Sequence, residues 1–143
     1  MSWADDLLWL RGQSLQAVLS ATGAAQGQRE PVTGYQNLQN LDVIDAPNGV
    51  RIYLRGDDVA LIYAGEAALP DDADEADLVA VVGSEGEFLR SRQGKRAALH
   101  VVAEQGVAWS EQDGVVAFVE LFPPTRLEDY RRDIYLEPPQ FVQ

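Results

Sequence analysis

Residues 106–119 read GVAWSEQDGVVAFV, and residues 49–62 read GVRIYLRGDDVALI. The two segments align without a gap. In the later one, Gly106 and Val107 open a strand through Ser110, Asp113 and Gly114 make a turn, and Val116 to Val119 return. In the earlier one, Gly49 and Val50 open a strand through Leu54, Gly56, Asp57 and Asp58 turn it, and Val59 to Ile62 return. Asp followed by Gly between alternating apolar residues is a hairpin signal, because glycine accepts the positive φ that a tight turn needs.

Working outward, each hairpin follows a short alternating stretch, Leu41, Val43 and Ile44 in one case and Leu99, Val101 and Val102 in the other. Each of these reads as a further strand. Before each lies a helical pattern closed by glycine: Leu15, Val18 and Leu19 with Gly23, then Leu78, Val81 and Val82 with Gly83. Residues Gln26 to Tyr35, with Gly27, Pro31 and Gly34, read as a loop, and Pro70 to Asp77 as a connector. Pro123 and Pro124 stop the last strand. Thr125 and Glu128 form a capping-box pattern ahead of a helix whose inner stripe is Leu127, Tyr130, Arg131 and Ile134, ended by Pro138 and Pro139. The expectation is an α+β fold in one domain over residues 1–143. It contains two repeated units, 12–69 and 74–124, each a helix plus a three-stranded antiparallel meander in one sheet, followed by a C-terminal helix and tail over 125–143.

The run Gly12, Gln13, Ser14, Leu15, Val18, Leu19 and Gly23 ahead of an antiparallel meander resembles the repeat of the β-lactamase inhibitor protein and of the small outer-membrane assembly lipoproteins. The resemblance implies a binding module with a protein-facing sheet or loop surface. The chain departs from both families in having no cysteine, so neither the lipid anchor nor the disulfides are carried over.

A chain of 143 residues is long enough to bury a core without metal or disulfide staples. The absence of cysteine excludes thiolate chemistry and permits a reducing compartment, with the cytoplasm the simplest expectation. Two acids at Asp5 and Asp6 and the short apolar run Leu7 to Leu10 fit neither a signal peptide nor a membrane span. A net charge of -12 disfavours nucleic acid and anionic lipid and favours a basic partner.

Recognisable catalytic chemistry is missing. His100 is the single histidine, has no partner at metal-ligand spacing, and shares a strand face with Ala98 and Val102, which makes it a half-buried structural residue. The acids Asp71, Asp72, Asp74, Glu75 and Asp77 lack the glycine and glutamate positions of an EF-hand and complement the dipole of the following helix instead. Arg90, Arg92, Lys95 and Arg96 surround Gly94 without P-loop spacing and read as a loop arm that pairs with the chain's own acids or is solvated. No Gly-x-Ser-x-Gly elbow is present. No catalytic residue, metal ligand or cofactor is therefore assigned.

The functional expectation is a non-enzymatic protein-binding module, with a small-ligand protein or enzyme holding a pocket between helices and sheet as the alternative. Arg51 and Tyr53 alternate with the core residues Val50, Ile52 and Leu54, so they fall on a polar face of the sheet. The sharpest version is an acidic inhibitor or immunity-type protein. In it, Asp57 and Asp58 at the first turn and Glu111 and Asp113 at the second share one rim and meet a cationic target.

Overall fold

The structure, a computed structural model, describes residues 2–138. It contains four α-helices, α1 (Trp3–Leu8), α2 (Leu15–Thr22), α3 (Glu75–Val82) and α4 (Leu127–Asp133). The strands are β1 (Glu30–Tyr35), β2 (Leu38–Asp45), β3 (Arg51–Arg55), β4 (Asp58–Ala64), β5 (Glu87–Arg90), β6 (Ala98–Val102), β7 (Val107–Gln112) and β8 (Val115–Leu121). All eight lie in one antiparallel sheet of order β1-β2-β3-β4-β8-β7-β6-β5. The fold is α+β.

Local chemistry sets the helix ends. Ser14 Oγ accepts from the Ala17 N–H and an Asp74 carboxylate oxygen from the Ala76 N–H. Gly23 and Gly83 adopt left-handed φ values of 75° and 81°, and their N–H groups bond back to Leu19 and Val79 carbonyls. The C-terminal helix differs from its expected start. Arg126 is its N-cap with no side-chain cap, and the Thr125 N–H bonds to the Ala103 carbonyl instead of taking part in a capping box. Pro139, which the sequence reading placed beyond that helix, lies outside the described residues.

Each half of the sheet holds one strand more than the three-stranded meander expected. The stretch 26–35, read as a loop, is a 3₁₀ turn (Gln26–Gln28) followed by β1, and β5 occupies the start of the basic segment. Both added strands are the outer edges. Pro31 is tolerated in β1 because an edge strand can leave one side without a ladder hydrogen bond.

Apolar residues fill both faces. On one, Leu7 and Leu8 of α1, Val18 and Leu19 of α2, and Leu78 and Val82 of α3 pack on Ile44, Ile52, Ile62, Trp109 and Val119. On the other, Tyr130 and Ile134 of the α4 region and Tyr135 pack on Leu41, Tyr53, Leu61, Val101 and Phe118. The expected polar face at β3 is thus covered at Tyr53, which is 6% exposed, while Arg51 and Arg55 at the strand ends stay exposed. That second face is strongly concave. Tyr35 at the β1 edge donates to Glu120 on β8, four strands away, a span of roughly 19 Å in a flat sheet at ~4.8 Å per strand. Among the described residues, no helix is long and apolar enough to cross a membrane.

Candidate functional site

The two halves of the sheet meet where β4 pairs with β8, and the seam is short: Ile62 opposes Leu121, Tyr63 opposes Glu120 and Ala64 opposes Val119. Beyond Ala64, residues 73 and 74 cover the free edge of β8, through an Asp74–Val115 bridge and a Val116 N–H to Ala73 carbonyl bond of 2.8 Å. At the other end, the chain leaving β8 turns away. Phe122 N–H bonds to the Gly106 carbonyl at 3.0 Å, and Pro123 and Pro124 cannot donate to a ladder. Among the described residues no strand opposes Asp58–Leu61 on that side. A trough remains beside this open stretch. One arm, about 530 Å³, runs under the α1–α2 connector against Val59, Ile62, Leu121 and Phe122, and the other, about 320 Å³, runs toward Asp129, Asp133 and Ile134. Asp58, Val59, Pro123 and Pro124 border both arms.

A second polar cluster lies inside the concave face. Glu120 is 2% exposed, and its carboxylate accepts from the Tyr35 and Tyr130 hydroxyls, the latter at 2.6 Å. Arg92 Nη2 donates to the Tyr35 oxygen at 2.9 Å, and its guanidinium lies 4.4 Å from the Phe118 ring centre. Burial raises the Glu120 carboxyl above the usual carboxylate range, while the two phenols and Arg92 draw it back down. Burial, reinforced by the neighbouring Glu120 charge, holds both phenols well above the ordinary tyrosine value. The space beside the cluster is about 10 Å³, at the limit for one water. Within the basic segment expected as a loop arm, Arg92 points inward and pairs with the chain's own Glu120.

The third cluster centres on His100, which is 2% exposed rather than half-buried. Its Nδ1 lies 2.9 Å from the Glu85 carbonyl oxygen, which can only accept, so Nδ1 carries a proton. Its Nε2 lies 2.9 Å from Glu75 Oε2 and 3.0 Å from Glu111 Oε1. The ring stacks on Trp109, with centres 5.2 Å apart and planes 4° from parallel, and Phe88 meets it edge-on at 4.5 Å. His100 pairs with Trp109 across the β6–β7 ladder, and strand alternation places Glu111, two residues on from Trp109, on the same face as the histidine. Burial opposes the Glu111 charge, but His100 and the Gly114 N–H hold its carboxyl below the usual range.

Neither a family model, nor a curated protein, nor a solved structure matches this chain.

The residues expected at an acidic rim do not share one. Because β4 and β8 run antiparallel, the β3–β4 turn and the β7–β8 turn fall at opposite ends of the sheet. Asp57 and Asp58 border the trough, with the Asp57 carboxylate 90% exposed and 3.7 Å from Arg29. Asp113 is exposed at the far end with φ 54°, serving turn geometry, and Glu111 is turned inward to His100. Arg51 is exposed and held to Asp45 at 2.7 Å, and the Tyr53 ring packs 5.1 Å from Tyr35. His100 likewise has the close carboxylate partners that sequence spacing did not show. Glu120 carried a legible signal, as the one charge inside the apolar run Val115 to Phe122. A buried carboxylate must find donors.

Proposed function

We propose that the protein is a protein-binding module that seats an extended, basic segment of a partner protein in the trough along β4. The observation that carries this reading is the three-residue seam, which among the described residues leaves the Asp58–Leu61 edge without a strand neighbour on the β8 side, over an apolar floor. An added strand of about four residues, roughly 13 Å long, matches that open edge. The partner's main chain pairs with β4, and its side chains reach Val59, Ile62 and Phe122 on one side and Ile134 on the other. Around the trough Asp57 is paired with Arg29, and Asp129 and Asp133 with Arg126 and Arg132, while Asp58 stands at the open edge and the chain as a whole carries -12. This charge steers a cationic segment and speeds its encounter.

The outer edges are poorer acceptors. Pro31 interrupts the donors of β1, and β5 is only four residues long with Glu87 and Arg90 at its ends. Selection from a displayed library of extended peptides tests the proposal. Enriched sequences should be basic with apolar residues alternating, bind more weakly as salt rises, and lose about tenfold in affinity to the double variant Asp57→Lys, Asp58→Lys. Enrichment of acidic peptides, or of peptides indifferent to both salt and the double variant, would refute it.

A further inference from the structure

We infer that Glu75, His100 and Glu111 form a binding site for one divalent first-row transition-metal ion, at the opposite end of the sheet from the trough. The three ligand atoms lie within 4.8 Å of one another. The Nε2-to-oxygen separations of 2.9 and 3.0 Å match adjacent ligands of one ion, which stand ~2.9 to ~3.5 Å apart when each bond is ~2.1 Å. Two carboxylate oxygens converge on a ring nitrogen that can hold one proton at most. A dication satisfies both oxygens and the nitrogen lone pair together, and a neutral imidazole with two carboxylates balances its charge.

The surroundings are those of an oriented ligand set. Each ligand has an outer partner from elsewhere in the fold: the Glu85 carbonyl on His100 Nδ1, the Gly114 N–H on Glu111 Oε2, and Trp109 Nε1–H on Glu75 Oε2 at 2.8 Å. Such partners fix the tautomer and aim the carboxylates. The scaffold is built from regular elements, His100 on β6, Glu111 on β7 and Glu75 in the first turn of α3. Backbone bonds from Glu75 N–H to the Gly114 carbonyl and from Val116 N–H to the Ala73 carbonyl pin that helix start to the β7–β8 hairpin. Both glutamate side chains keep 16% exposure, which leaves a way in and room for water to complete the coordination. One imidazole with two carboxylates suits zinc, manganese, iron or nickel, whereas calcium and magnesium prefer oxygen alone. The Glu120 cluster differs, since two phenols and Arg92 already satisfy its carboxylate.

The test uses the tag-free full chain, stripped with chelator, and zinc as the probe. His100 is the single histidine, so one set of imidazole ¹⁵N signals reports the site without ambiguity. One equivalent of zinc should bind, with Nε2 becoming metal-bound and Nδ1 keeping its proton, and cobalt should quench Trp109 fluorescence. His100→Gln and Glu111→Gln should each weaken zinc binding by about 100-fold, and Trp109→Phe, which removes the donor to Glu75, by about tenfold. If a variant fails to fold, the imidazole spectrum of the unaltered chain still decides. Unchanged imidazole signals at a zinc excess, an Nε2 that keeps its proton, or full-strength binding by folded His100→Gln protein would overturn the inference.

Discussion

Replacing Tyr130 with Phe removes one oxygen and leaves the ring, which packs 5.1 Å from Phe122 and 6.2 Å from Tyr135. The lost group donates to a Glu120 carboxylate that is fully enclosed. A hydrogen bond to a buried charge contributes about 1.5 to 3 kcal/mol, against about 0.5 to 1.5 kcal/mol for a neutral pair. Where Glu120 is charged the variant should therefore lose about 2 kcal/mol, a fall of ~6 °C in Tm at ~3 °C per kcal/mol for a chain of this size. The loss should also depend on pH. Glu120 titrates higher in the folded chain than in the unfolded one, so the folded state holds the extra proton between those two values and stability falls as pH rises through the window. Tyr130 limits this fall by favouring the charged form. Its removal widens the window, so the penalty should be larger at pH 8 than at pH 4.5. Urea unfolding of both proteins across that range measures it. A loss below about 0.5 kcal/mol at pH 8, or one that grows on acidification, would refute the reasoning.

The same cluster governs alkaline stability: Tyr35 and Tyr130 keep their protons above the ordinary tyrosine value near 10, whereas the unfolded chain releases them there. Stability present below pH 10 should fall above it by ~2.7 kcal/mol per pH unit for the two phenols together, as followed by circular dichroism against phenolate absorbance at 295 nm. Gly106 sits at φ 70°, and a Cβ there would stand 2.2 Å from the Phe122 carbonyl oxygen, at the point where the chain leaves the seam. Gly106→Ala should cost at least about 2 kcal/mol in urea unfolding and weaken peptide binding in the trough, and a variant as stable as the parent would remove this anchor from the account. Leu78, fully buried where α3 meets the sheet, should cost about 2 to 5 kcal/mol on truncation to Ala, read as a drop in Tm without loss of β-sheet signal.

What was legible in the sequence is what short-range chemistry dictates. Gly23 and Gly83 mark helix ends because the left-handed cap needs them, and Asp113 with Gly114, both at positive φ, marks the second hairpin for the same reason. The edge strands escaped notice because Pro31, Gly34 and the charged ends of β5 mimic loop composition. Antiparallel joining of β4 to β8 is a long-range choice that neither hairpin encodes, and it separates turns expected on one rim. Covering of the second face by Tyr130, Ile134 and Tyr135 likewise depends on where the C-terminal helix docks, which turned Tyr53 from a surface candidate into core. The Glu120 cluster is assembled across long separations, 85 residues for Tyr35 to Glu120 and 57 for Tyr35 to Arg92, whereas the His100 cluster joins neighbours 11 residues apart, His100 and Glu111, to Glu75, 34 residues before Trp109. For Glu75 the dipole explanation holds, since it does lie in the first turn of α3, yet its carboxylate also reaches His100.

The open β4 edge is tested most directly by amide NMR of the whole chain titrated with the tightest basic peptide from the library. The account predicts shifts confined to Asp58–Ile62, Leu121, Phe122, the α1–α2 connector and the second arm at Asp129, Asp133 and Ile134, with slower hydrogen exchange at β4 amides as the added strand forms. Shifts gathered instead along β1 or β5, with β4 exchange unchanged, would contradict it and place strand addition at an outer edge of the sheet.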